Sequence, residues 1–388
     1  MNIQKILCEE FHVAPERVAA AVALIDAGNT IPFIARYRKE ATGAMDDQVL
    51  REMNERLLYL RGLDKRRGEI EKTLEEQGSL TDDLKNALGE AQTLAALEDI
   101  YRPYRPKRRT RASIARERGL EPLAAKLLAQ EARSPEPKVL ALGFVNPEKD
   151  VPDAEAALAG ARDILAEDFS DDADVRRRLR EMYGREGVLT SEKAKDEDSV
   201  YRMYYAFREP VRTLPGHRTL ALDRGEREGY LKVKVAVEDA RALSVLKSAF
   251  VREGAPTAGQ VLEAAGDALA RLIEPSMERE IRSSLTERAQ SAAVRVFADN
   301  LHQLLMQRPV KGRVTLGVDP GFRTGCKLAV VDANGKVLET GVGHFTIPGM
   351  SERRAQAKIQ VGGMIRRHEV TAVAIGNGTA PREAESFI

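Results

Sequence analysis

The sequence predicts a mainly α-helical protein with a C-terminal α/β part, and three observations carry that expectation. Apolar residues recur at helical spacing through most of residues 2–307, as in Val18, Val22 and Ile25, or Leu50, Met53, Leu57 and Leu60. The texture changes at Pro309 to Arg313, the clearest domain boundary in the chain. Beyond it, Val314 to Phe345 contains an apolar strand ending on Asp319, a Pro-Gly turn, and two β-rich runs separated by Asn334-Gly335.

Taken in order, the helical pattern from Asn2 to about Gln130 is interrupted at Pro15, Asn29 to Pro32, Gly43, Gly78-Ser79 and Pro103 to Pro106. Asp47 to Glu76 reads as one long helix with opposite charges about a turn apart. A second helical block follows Ser113, continues through Ala154 to Leu165, and ends with the charged run Asp171 to Glu186, closed by Gly184 and Gly187. Lys193 to Ser199 is polar and aperiodic, hence a loop. His217 to Leu222 and Tyr230 to Val235 lean toward strand and predict a short antiparallel pair around Arg224-Gly225-Glu226. Helical spacing returns from Ala240 to Gln307, Val370 to Gly376 reads as a fourth strand of the last part, and Pro381 to Phe387 begins a helix. The domains expected are 1–192, 193–312 and 313–388.

The chain has 388 residues, enough for two or three cores, since single cores stop growing near about 250–300 residues. Charged residues make up 31% but the net charge is only +1, so affinity for polyanions must come from local patches. Cys8 and Cys326 stand far apart, which excludes a disulfide framework and argues for a reducing, cytoplasmic setting. The N-terminus has no long apolar run, and nothing later approaches a membrane span. His12, His217, His302, His344 and His368 are dispersed, so no zinc site and no cofactor is expected.

Four segments carry a family resemblance: IPFIARYRKEATGAMDD at Ile31 to Asp47, LEDIYRPYRPKRRTRA at Leu97 to Ala112, HRTLALDRGEREGYLKVKV at His217 to Val235, and LGVDPGFRTGCKLAVVD at Leu316 to Asp332. In this order and spacing they resemble the Tex family of bacterial transcription accessory proteins. The resemblance implies a helical N-terminal region with a helix-turn-helix-like unit, a helical central region, and a YqgF domain of ribonuclease-H-like fold. Family members continue into helix-hairpin-helix elements and an oligonucleotide-binding barrel. Neither is in this sequence, so the chain is expected to be a piece ending inside the YqgF domain, with Val370 to Gly376 left as an unpaired edge.

The ribonuclease-H-like fold raises the question of metal-dependent cleavage, which needs several carboxylates around ions about 3.5–4 Å apart. Asp319 supplies one. At the end of the fourth strand, where a related resolvase has its second acid, this chain has Gly376 and Asn377. Glu383 and Glu385 follow, at positions where acids favour a helix start. Asp319 therefore reads as a vestigial acid that caps the Pro320-Gly321 turn, with no catalytic or metal-binding residue expected.

The binding candidate is Tyr101 to Arg118, where Arg102, Arg105, Lys107, Arg108, Arg109, Arg111, Arg116 and Arg118 face a single local acid, Glu117. Tyr101 and Tyr104 interleave with them as rings on which bases could stack. The competing reading is a proline-stiffened connector whose arginines pair with acidic helices such as Glu69 to Glu76. Arg36, Arg38 and Lys39 lie in the helix-turn-helix-like segment, where Tyr37 reads as a packing residue. Arg176 to Arg178 and Arg180 follow Asp171, Asp172 and Asp174 as on a solvated helix. Gly321 to Lys327 lacks the Ser or Thr and the following helix of a phosphate loop.

The function expected is non-catalytic nucleic-acid binding, RNA more than DNA and largely independent of sequence, in a cytoplasmic transcription accessory factor. RNA polymerase or the ribosome are candidate partners, and no membrane contact is expected. Two alternatives stand beside it: a metal-dependent resolvase or nuclease using Asp319 with Glu383 or Glu385, and a protein-interaction scaffold on the transcription or translation machinery.

Overall fold

A computed structural model describes residues 2–106, 108–308, 310–346, 351–378 and 380–388. The chain divides into two compact units, Met1–Val294 and Arg295–Ile388. The first is helical with one small sheet, and the second is an α/β layer.

The first unit opens with short helices, Ile3–Phe11, Pro15–Asp26 and Ile31–Tyr37, packed on the long helix Asp47–Glu76. That helix starts where the Asp46 carboxylate accepts the Val49 N–H at 2.8 Å. It buries Leu50, Met53, Leu57, Leu60, Leu63, Ile70 and Leu74, the inward stripe that its sequence period predicts. Arg67 falls on the same stripe and is buried because its guanidinium donates to the Leu88 and Ala91 carbonyls at 2.8 and 2.9 Å. Those carbonyls close the helix Asp82–Glu90, so the arginine satisfies acceptors that the helix end would otherwise leave open.

The central core surrounds the helix Ala154–Asp171, flanked by Arg111–Glu117, Glu121–Ala129, Ala173–Glu186 and Ala258–Asp267. A wide π-type turn, Ala268–Ile273, leads into the helix Glu274–Leu305. Pro275 has no N–H to give to the preceding turn, and the widened turn lies where that bond would be missing.

Three strands lie in this unit: β1 (Val188–Lys193), β2 (Ala206–Pro210) and β3 (Leu231–Ala236), antiparallel in the order β2-β1-β3. The short β pair expected around Arg224-Gly225-Glu226 is therefore corrected. Tyr230 to Val235 does contribute a strand, but His217 to Leu222 lies in the helix Gly216–Arg227, and the partner of β3 is β1. Thr219, Leu222 and Gly225 face inward at three-residue spacing, a helical period. Gly225 is needed there, since a Cβ would collide with Leu231. The division expected after residue 192 falls inside β1.

The second unit holds β4 (Thr315–Asp319), β5 (Cys326–Val331), β6 (Val337–Gly343) and β7 (Ala372–Ile375) in the order β6-β5-β4-β7, with β4 and β7 parallel. The Asn334-Gly335 hairpin and the fourth strand lie where the sequence places them. Helices Ser351–Arg367 and Pro381–Phe387 cover one face, burying Leu316, Val318, Leu328, Val330, Val361, Met364 and Ala384. On the other face Leu338 and Val342 are exposed.

One charged cluster in the first unit is buried. Asp99 accepts from Arg176 Nε at 2.7 Å and from Arg180 Nη2 at 2.6 Å, and Glu280 pairs with both arginines. Replacing Asp99 with Ala leaves Arg176 charged and buried. That should cost about 3–5 kcal/mol, read as a lower urea midpoint for the transition of this unit. In the β5–β6 hairpin the Asp332 carboxylate accepts the Asn334 and Lys336 N–H groups at 2.8 and 2.9 Å. These bonds, Lys336 first, hold its carboxyl below the usual value. The turn gains this stability in full above the unfolded value of about 3.9 and loses it as pH falls through the lower folded value. The Lys336 amide resonance should titrate at that depressed value, and Asp332→Asn should abolish the titration.

Candidate nucleic-acid interface

The basic segment is built from three short pieces. Helix Leu94–Tyr101 runs into a 3₁₀ turn, Arg102–Tyr104, that Pro103 favours by fixing its φ. After Pro106 the chain re-enters a helix, Arg111–Glu117, at a capping box in which Thr110 and Ser113 exchange side-chain and backbone hydrogen bonds. Lys107 lies outside the described residues.

Tyr101 and Tyr104 separate. Tyr101 is one turn after Leu97 on the inward face, is 6% exposed, and packs with Leu63, Ile70 and Leu97. Its ring is covered by the protein, with the Arg66 and Arg105 guanidinium groups 5.8 and 5.9 Å from its centroid, so the stacking role expected of it is corrected. Tyr104 is exposed.

The arginines divide in the same way. Arg102 pairs with Asp171 at 3.0 Å and Arg105 with Glu98 at 3.0 Å, and Arg109 reaches Glu117 at 3.3 Å. Arg116 is held by Glu167 at 2.8 Å and Asp168 at 2.6 Å, and Arg118 by Asp150 at 3.4 Å. Arg108 and Arg111 are exposed, and Arg108 makes no ion pair with a described residue. The acids expected to oppose the segment, Glu69 to Glu76, do not do so among the described residues; Glu69 pairs with Arg66. Sequence reasoning missed Glu98, Asp150, Glu167, Asp168 and Asp171 as partners. The segment and Glu167 to Asp172 line a cleft of about 770 Å³, with Arg105, Arg108, Arg109 and Arg116 facing Glu167, Asp168, Asp171 and Asp172.

Arg176 and Arg180, read from the sequence as part of a solvated helix face, are instead in the buried cluster with Asp99. Burial pushes the Arg176 guanidinium down from its ordinary value, and the neighbouring Arg102 charge adds to that. Arg177 keeps the surface pairing expected, with Asp174 and Glu181. Tyr37, expected to pack, is 62% exposed.

In the second unit Asp319 ends β4 with an exposed side chain and accepts no hydrogen bond from a described residue, so the cap expected over Pro320-Gly321 is not formed. Beside it stands Gly376, whose N–H donates to the Val318 carbonyl at 2.8 Å. A Cβ at Gly376 would lie 3.6 Å from Asp319 Oδ1, so the residue beside Asp319 after β7 is a glycine and brings no carboxylate. Among the described residues no three His, Cys, Asp or Glu converge to hold a metal. The donor set does not fit a two-metal centre. No helix of the described residues is long and apolar enough to cross a membrane.

A helical scaffold followed by a ribonuclease-H-like sheet with a lone strand-end carboxylate defines the class. Comparison with known proteins gives the family. Residues 1–75 match the Tex-like protein N-terminal domain, 132–297 the Tex central region-like domain, and 313–388 the Tex protein YqgF-like domain. The chain belongs to the Tex family. It is 43% identical to Protein tex of Bordetella pertussis, over 98% of this chain and 50% of that protein. Transcriptional accessory protein Tex of Neisseria gonorrhoeae is 40% identical over 100% of this chain and 51% of its own length. The human S1 RNA-binding domain-containing protein 1 is 31% identical over 100% of this chain and 40% of its own length. The chain thus spans about half the length of the bacterial relatives it matches.

The two kinds of arginine predict different mutant behaviour. Arg102→Ala leaves the nearly buried Asp171 without this cation and should lower stability by about 1–3 kcal/mol in chemical denaturation. Arg108→Ala should leave the denaturation midpoint unchanged within about 0.5 kcal/mol.

Proposed function

We propose that this chain is a nucleic-acid-binding part of a non-catalytic transcription accessory factor, acting in the cytoplasm on RNA in preference to DNA. The observation that carries the reading is the row of arginines on the 770 Å³ cleft, with Arg108 making no ion pair with a described residue and Tyr104 exposed beside it. The names of its relatives support it, one a transcriptional accessory protein and one a protein with an S1 RNA-binding domain. Contacts to backbone phosphate by Arg105, Arg108, Arg109 and Arg111, with Lys107, need no base-edge readout, so binding is largely independent of sequence.

Several of these arginines already hold carboxylates, and a phosphate must compete with them. The affinity should fall with about 0.7 log unit per log unit of salt for each single-strand phosphate neutralised. Neutralising the competing acids in Asp168→Asn/Asp171→Asn should tighten binding several-fold in fluorescence anisotropy with a labelled single-stranded RNA. A flat salt response and unchanged affinity in that variant would count against the cleft.

The pairing of Arg102 and Arg116 with acids also favours a second reading, a protein-interaction scaffold for RNA polymerase or the ribosome. Replacing Arg105, Arg108 and Arg109 by Ala separates the two, since a scaffold keeps its residual nucleic-acid affinity. The nuclease reading rests on Asp319 with Glu383 or Glu385. Incubation with branched DNA or RNA in magnesium or manganese should leave the substrate intact, and cleavage abolished by Asp319→Asn would restore that reading.

A further inference from the structure

Helix Ile31–Tyr37 and the start of the short helix Lys39–Thr42 after it carry a second cluster of cations and rings, far in sequence from the basic segment. Ile34 is fully buried and anchors the helix on the N-terminal core. The opposite side presents Tyr37, 62% exposed, with exposed Arg36, Arg38 and Lys39 beside it. The Tyr37 ring offers a large flat face with a polar tip, a surface on which a planar partner can stack.

The ring is propped from beneath. Phe33 lies 5.4 Å from Tyr37 between centroids, tilted by 44°, and the Arg38 guanidinium stands 5.4 Å from the Phe33 centroid. Arg38 also donates to the Tyr37 carbonyl at 3.1 Å, which fixes the chain at the end of the helix. The Arg17 side chain lies against Gly43, where any Cβ would collide with it, and so adds a cation from the neighbouring helix.

The charges are unlike those around them. On the long helix Asp47–Glu76, by contrast, Arg51, Arg56, Arg61, Arg66 and Arg67 each pair with a carboxylate. Arg17, Arg36, Arg38 and Lys39 make no ion pair with a described residue, and Glu40 is the one acid within residues 36–40. An exposed ring among unpaired cations is the arrangement used to hold single strands, in which a base stacks on the ring and its flanking phosphates meet the charges. A duplex offers no free base face for the Tyr37 ring, whereas a single strand does.

We propose that the Tyr37 surface is a second contact for single-stranded nucleic acid, with a base stacked on Tyr37 and phosphates on Arg36, Arg38 and Lys39. It stands whether or not the Tyr101 to Arg118 segment binds. A protein partner is the competing occupant, and the test distinguishes them.

The chain contains no tryptophan, so Tyr37→Trp installs a single reporter in the full chain. Titration with a single-stranded oligouridylate should quench its emission in step with anisotropy of the labelled strand. Tyr37→Phe should bind as the parent does, because stacking needs the ring and not the hydroxyl. Tyr37→Ala should lose about tenfold or more in affinity, and Arg36→Ala/Arg38→Ala/Lys39→Ala should lower the salt slope by about 2 if three phosphates are released. Circular dichroism identical to the parent keeps the exposed variants interpretable. Saturating anisotropy with unquenched Tyr37→Trp, or parental affinity in Tyr37→Ala, overturns the inference. Should those results coincide with weakened binding in Arg105→Ala/Arg108→Ala/Arg109→Ala, the cleft reading survives alone. No binding by the parent chain overturns both.

Discussion

Asp99 and Arg176 are 5% and 2% exposed and 2.7 Å apart, and the arrangement of the first unit depends on that contact. Two charges withdrawn from water lose several kcal/mol of hydration each unless their hydrogen-bonding groups are occupied. Asp99 fills both oxygens, one with Arg176 and one with Arg180, while Arg176 adds Ser276 and Glu280. Its Nη1 has no partner among the described residues. The cluster therefore joins the helices Leu94–Tyr101, Ala173–Glu186 and Glu274–Leu305, and the 3₁₀ turn carrying Arg102 and Tyr104 begins at the end of the first of them. The third cation of the region, Arg102, is matched by Asp171, so three arginines meet three carboxylates.

That balance decides what the basic segment can do. Charge density along the chain overstates the field at the cleft, because Glu167, Asp168 and Asp171 crowd the last turn of the helix Ala154–Asp171. Anions at a helix C-terminus are disfavoured by the dipole, so these acids need nearby cations, and Arg116 and Arg102 provide them. The cleft is a set of existing ion pairs that a polyanion would exchange, with Arg108 as a point of entry. On the Tyr37 surface the exposed cations have no such competitors among the described residues.

Local patterns were legible in the sequence, and pairings between distant segments were not. The β5–β6 hairpin could be read because Asn334-Gly335 and the Asp332 carboxylate act within five residues. The long helix Asp47–Glu76 announced its inward stripe, yet nothing in the sequence indicated that Arg67 would sit on it to close another helix. In YRPYRP the two tyrosines look equivalent, although Tyr101 lies four residues after Leu97 on a buried face and Tyr104 lies beyond the helix end. That signal was present and is helical. The strand-like alternation of His217 to Leu222 fits either period, and the inward spacing of Thr219, Leu222 and Gly225 resolves it in favour of a helix. The basic stretch was visible as charge, but its acids lie about 30 to 70 positions away in several cases and belong to the tertiary fold.

The carboxylate of Asp319 at the end of β4 raises a different question, whether the sheet lacks room for a second acid beside it or merely lacks one. Room exists. A Cβ at Gly376 would stand at ordinary contact distance, 3.4 Å from Pro320 and 3.6 Å from both Asp319 Oδ1 and the Val318 carbonyl oxygen. Gly376 is also tied by its N–H to the Val318 carbonyl, so a side chain there would be held beside β4. Two carboxylates that close repel unless a cation lies between them. With glycine at this position Asp319 remains solvated, at no electrostatic cost to the sheet. The fold would accept the second acid; the residue at position 376 does not supply it.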